Sequence, residues 1–269
     1  MTGAGPDGPY EGVPVHLRPG LVHWWREIAT TGTAGFFGNE RPLRALIALI
    51  RADINPGWHA SKTGEALISA AISDDELFLD MVDGTLGIYN VGGGSKAALR
   101  QLLSVSGSVW TVADDGSSLT RVVSDQAQAT FDSATATADE ATNDLREAWS
   151  NAFGKNGDPS DAWDHAIKAV EHVLIREVMP NNLSATLGQV LGELGGPNSG
   201  NWKLILPGSD QSQDVAPLVA MLRLLWPNHD RHGGTAPKRA PSDEEARAVV
   251  TLAATIVQWH REGWVVQKR

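Results

Sequence analysis

The sequence predicts a mainly α-helical protein carrying one small β-hairpin, and three observations support this. Apolar residues recur at helical spacing along most of the chain. One stretch, 108–123, changes to short β-branched runs on either side of a turn. No internal repeat, heptad run or phosphate-binding glycine motif of the P-loop or dinucleotide type appears, so solenoid, coiled-coil and nucleotide-loop folds are not indicated.

Taken in order, residues 1–20 are rich in Gly and Pro without apolar periodicity, and are expected to form a flexible arm. Short helical patterns follow over 21–29, 42–52, 64–72, 75–88 and 96–103, with Ser73 and Glu76 spaced as a capping box. Ser108-Val109-Trp110-Thr111-Val112 and Leu119-Thr120-Arg121-Val122-Val123 flank Asp114-Asp115-Gly116-Ser117-Ser118 and read as the hairpin. Ser124 then caps a long Ala-rich helical stretch to Phe153. The breaker Gly154-Lys155-Asn156-Gly157 sets the expected boundary between an N-terminal domain, 21–153, and a C-terminal one, 154–269. Asp158-Pro159 starts the clearest helix, because a carboxylate caps it and proline occupies its first turn. Further helices are expected over 184–194, 214–226 and from a Ser242 cap to near Gly263.

Composition narrows the function. The 269 residues include no cysteine, which excludes disulfide frameworks, thiolate metal sites and cysteine nucleophiles. No apolar run is long enough to span a membrane, and 1–20 lacks the basic start and apolar stretch of a secretion signal, so a cytoplasmic location is expected. The net charge of −10 excludes a uniformly basic nucleic-acid binder. Charge is nonetheless uneven: residues 216–269 hold 8 Lys/Arg against 5 Asp/Glu and form the mildly basic part.

That basic part also holds the densest chemical cluster. Asn228, His229, Asp230, Arg231 and His232 are consecutive past an apolar helix end, with Arg223 one turn back on the helix. Imidazole titrates near neutrality and guanidinium stays charged, so such a set can move protons beside a phosphate. Equally, a polar run between Pro227 and Gly233-Gly234 reads as a solvated connector. The two histidines have no third ligand at fixed spacing beyond Asp230, and no metal site is expected. His165, Lys168, His172 and Arg176 share one helical face as a basic stripe, or as a salt-bridged one given Asp161, Asp164 and Glu171 nearby. Trp24-Trp25 and Trp58-His59 read as core or as aromatic platforms. Between Asp114 and Asp164, 11 acids face 3 basic residues, a pattern shared by nucleic-acid mimics and by charged faces of Ala-rich helices.

Asp-Pro-Ser-Asp-Ala-Trp-Asp-His-Ala-Ile-Lys-Ala-Val-Glu171, Ala-Thr-Leu-Gly188, Met-Leu-Arg-Leu-Leu-Trp226 and Arg-His-Gly-Gly234 together resemble the abortive-infection C-terminal domain of the HEPN superfamily, as found in actinobacterial or phage proteins. The resemblance spans roughly residues 145–262. It implies an antiparallel helical bundle that pairs with itself and joins two copies of an Arg…His motif. It further implies a metal-independent, cofactor-free ribonuclease in which histidine transfers protons and arginine stabilises charge on the phosphorus. Arg223 to His229 has the family's spacing, whereas His232 is the histidine followed by glycine, and Leu224 stands where the family often has a polar residue. The resemblance thus implies Arg223 for phosphate, His229 or His232 for proton transfer, and Asn228, Asp230 and Arg231 as supports.

The expected function is an RNA-cleaving effector or toxin of abortive-infection type, serving phage defence or exclusion, cytoplasmic and homodimeric through the C-terminal domain. The alternative is a non-catalytic HEPN-like module for dimerisation or for binding RNA or protein, which the split motif favours. A third reading is nucleotide binding by stacking on Trp202 or Trp226.

Overall fold

The computed structural model describes residues 8–29, 40–54, 60–208, 210–226 and 239–269. The described residues are mainly helical, and none of their helices is long and apolar enough to cross a membrane. They form two compact units, divided between Val122 and Val123.

The first unit holds α1 (Arg18–Ala29), α2 (Glu40–Leu49), α3 (Ala60–Ile72), α4 (Asp75–Ile88), α5 (Gly93–Val105), β1 (Trp110–Val112) and β2 (Leu119–Arg121). Its core gathers Leu21, Trp25, Leu43, Leu46, Leu67, Phe78, Met81, Leu99 and Leu103 around α4. Trp24 and Trp25 belong to that core rather than to a platform, and the Trp25 indole donates to Thr85 Oγ1 at 2.9 Å. Trp58-His59 lies outside the described residues. Gly84 lets α2 approach α4, because a Cβ there would stand 2.7 Å from Leu46 Cδ1. The cap of α4 is Asp74, which accepts from the Leu77 N–H at 3.1 Å, in place of the Ser73–Glu76 box. The hairpin forms where expected, with Thr111 opposite Thr120.

The expected arm is corrected over 8–20. Val13 and Leu17 are buried, and α1 begins at Arg18. Glu11 pairs with Arg121 at 2.6 Å, its carbonyl accepts from the Trp110 indole at 2.9 Å, and Tyr10 bridges to Ser108. Arg18 donates to the Val13 carbonyl, the Ile72 carbonyl and Asp75. Two buried apolar residues and these polar ties outweigh the local preference of a Gly/Pro-rich sequence.

The second unit holds α6 (Asp125–Ala134), α7 (Glu140–Phe153), α8 (Pro159–Val178), α9 (Leu187–Gly195), β3 (Trp202–Lys203), α10 (Ala216–Leu225), α11 (Asp243–Arg261) and β4 (Gln267–Lys268). The stretch expected as one helix from 124 to 153 is two. Thr135 caps the end of α6, Asp139 caps α7, and Arg261 binds the Ala134 carbonyl and Asp139 across the gap. The expected boundary after 153 is likewise corrected: Leu145, Ala148, Trp149 and Phe153 pack into the same core as α8 and α11. A local breaker ends α7 without ending the core, and its short turn folds α8 back on α7.

α8 is the central helix. Asp158 caps it, accepting from the Ser160 and Asp161 N–H groups, and Pro159 fills its first turn. It buries Ala162, Trp163, Ala166, Ile167, Ala169, Val170, Val173 and Leu174 against α7, α9, α10 and α11. Thr186 and Ser242 close capping boxes on α9 and α11. β3 and β4 pair antiparallel, Trp202 opposite Lys268.

Candidate functional site

Arg223 is positioned by the apolar pattern of α10. Leu218, Val219, Leu222 and Leu225 turn inward, so Arg223 and Leu224 face outward at the last turn. The end of α10 is fixed by the buried Trp163 indole, which donates to the Leu225 carbonyl at 2.7 Å. A cation at the last turn also meets the negative end of the helix dipole, a favourable field.

Two glycines of α9 seat this end. A Cβ on Gly195 would lie 3.6 Å from Arg223 Nη2, and one on Gly188 would lie 3.3 Å from the Trp226 ring. Among the described residues Arg223 forms no ion pair. Asn228, His229, Asp230, Arg231 and His232 lie outside the described residues. Trp226 is half-buried, whereas Trp202 is only 3% exposed, with Lys268 Nζ 5.5 Å from its ring centre. That ring has no face left for a nucleobase.

Three of the four residues of the α8 stripe contact carboxylates. Asp144 of α7 takes both histidines: its Oδ1 lies 2.7 Å from His165 Nδ1 and its Oδ2 lies 3.0 Å from His172 Nε2. Lys168 pairs with the buried Asp164 at 2.9 Å. Arg176 is exposed and, among the described residues, forms no ion pair. Beside it, a cavity of about 30 Å³ is lined by His172, Arg176, His260, Arg261, Asp139 and Glu140. There Arg261, followed by hydrogen bonds from Thr142, holds the Asp139 carboxyl down at about 2 against its burial. Burial pushes the His260 imidazole below its ordinary value, opposed by the field of Glu177.

The contributions of Asp144 and His260 are not legible in the sequence, since no spacing rule links an aspartate on one helix to histidines on the next. Among the described residues no three carboxylate or imidazole groups converge as a metal-binding set. The chain matches no protein-family model, no curated protein and no solved structure.

Proposed function

We propose that the second unit is a HEPN-type endoribonuclease module, an abortive-infection effector or toxin that acts in the cytoplasm as a homodimer and without metal. The observation that carries this reading is Arg223: an outward guanidinium at a fixed helix end, free of acidic partners among the described residues. The chain continues from it directly into His229 and His232. In the reaction a histidine takes the proton of a ribose 2′-hydroxyl as its oxygen attacks the adjacent phosphorus. Arg223 neutralises the charge growing on the phosphoryl oxygens. The P–O5′ bond breaks, an imidazolium protonates the leaving 5′ oxygen, and the products are a 2′,3′-cyclic phosphate and a 5′-hydroxyl end.

The test is incubation of the full-length protein with RNA in a chelator, followed by end-group analysis. Cleavage with cyclic phosphate ends is expected, with a loss of about 10²-fold or more in Arg223→Ala and in His232→Ala. Unchanged cleavage in both variants overturns the assignment. A second reading, the non-catalytic module, rests on the split motif: His229 has the spacing from Arg223 while His232 is the histidine followed by glycine, and Leu224 stands where the family often has a polar residue. Under that reading the protein self-associates or binds a partner and never cleaves RNA.

A further inference from the structure

α10 departs from the pattern of a surface helix. Of its ten residues only Arg223 is polar. Leu218, Val219, Leu222 and Leu225 face the core, yet the opposite side is apolar as well: Ala216, Pro217, Ala220 and Leu224 are exposed and Met221 is half-buried. A helix with one buried face carries polar residues on the other, and a helix apolar all round is normally buried all round. α8 follows the first rule and turns Asp161, Lys168 and Arg176 outward. The outward residues of α10 recur at i, i+1, i+4, i+5 and i+8, so they form one continuous strip rather than scattered exposed side chains. The loop entering α10 adds Ile205 and Leu206, and the Leu204 N–H, bonded to the Gln213 carbonyl at 2.9 Å, holds them at that end.

Length and charge decide what covers the strip. Ten residues rise about 15 Å, half of the ~30 Å of a bilayer core, and a helix lying in the membrane surface would carry a row of Lys and Arg that α10 lacks. Asp214, just before the helix, and Arg223, in its last turn, are both exposed, and among the described residues neither forms an ion pair. The strip is therefore acidic at one end and basic at the other, and the surface that complements it is the same surface turned end for end. In an antiparallel pair each Asp214 stands level with the partner's Arg223. Two such pairs bracket an apolar centre, where Ala216 and Ala220 let the helices approach closely. One carboxylate takes at most two of the five guanidinium N–H donors, so Arg223 can still meet a phosphate.

We infer that α10 is the self-association surface of this chain. Two copies pack α10 against α10 antiparallel, in the register that sets Asp214 against the partner's Arg223. The inference rests on the homodimer proposed above and names its surface, but it does not depend on RNA cleavage.

The chain has no cysteine, so a single introduced one reports the register. With the pair centred midway between 214 and 223 and the axes about 8 Å apart, the two Ala220 Cα atoms come about 6 Å apart, within disulfide reach, and the two Leu224 Cα atoms more than about 15 Å apart. Oxidation of the full-length chain is expected to cross-link Ala220→Cys and not Leu224→Cys. Sedimentation of the unmodified chain at about 100 µM is expected to show twice the 28.7 kDa of one copy. Asp214→Lys and Arg223→Glu are each expected to weaken the dimer by about tenfold or more, and their combination to restore it to within about threefold. If Asp214→Lys fails to fold for want of its bond to the Ala216 N–H, Ala220→Glu replaces it, with a loss of about tenfold or more expected. A chain that stays monomeric, with or without lipid vesicles to bind, overturns both the inference and the homodimer, whatever the RNA assay shows. A dimer that cross-links at 224 and not at 220, or that is indifferent to the charge reversals and to Ala220→Glu, overturns this surface alone and leaves the homodimer standing.

Discussion

Asp139 accepts from the Thr142 N–H as the cap of α7 and pairs with both terminal nitrogens of Arg261 from the end of α11. Its carboxyl is held at about 2, below an ordinary 3.8. A depressed folded-state pKa means stability that is fully present above the unfolded value and lost as pH falls from about 4 through 2. With the side chain about a quarter exposed, solvent screening reduces the contribution to about 1–2 kcal/mol. Arg261→Ala is therefore expected to cost about 1–3 kcal/mol near pH 7 and to flatten the loss of stability between pH ~4 and ~2. Urea melts across that range check it; an unaltered slope in the variant would place the acid sensitivity elsewhere. His260 acts in a separate window. Its imidazole is depressed by burial, so the unfolded chain binds the proton more readily and stability falls as pH drops through the ordinary histidine value near 6.5.

At the scale of elements, most helices were legible because their signals are local. Asp158-Pro159 and Ser242 with Glu245 mark α8 and α11 by cap chemistry alone, and the β-branched runs mark the hairpin. What was not legible depends on partners distant in sequence. The break between α6 and α7 is held by Arg261, and residues 8–18 are held by Arg121, Trp110 and, through Arg18, the α3–α4 joint. The candidate site divides in the same way: Arg223 follows from the periodicity of α10, whereas its seat on Gly188 and Gly195 requires α9 to fold back. Trp163 makes such a long-range tie, and Trp163→Phe tests it. Removing the indole leaves the Leu225 carbonyl without this donor in a buried setting, at a cost of about 1–3 kcal/mol. The end of α10 should loosen first. Amide exchange at Leu225 and Trp226 is expected to rise more than exchange in α11; a uniform rise would show that the indole serves only global packing.

For the whole molecule, the test lies in where the chain can be cut. The two units have separate apolar cores, one drawn from α1–α5 and the hairpin, the other from α6–α11. A fragment of 123–269 keeps every buried residue of the second core and is expected to unfold in a single cooperative transition. A fragment of 154–269 begins at the breaker, where the sequence alone suggests a boundary, but it loses α6 and α7. It strips Leu145, Ala148, Trp149, Ala152 and Phe153 from α8 and α11, and with them the Asp139 partner of Arg261 and the Asp144 partner of His165 and His172. Each large side chain contributes about 1.5–3 kcal/mol by burial, so three of them amount to much of the ~5–15 kcal/mol that holds a domain folded. The shorter fragment is therefore expected to show no cooperative melt and to aggregate through the exposed face of α8. If it instead melts as sharply as 123–269, then α7 is an accessory to the core and the division of the chain belongs at the glycine breaker.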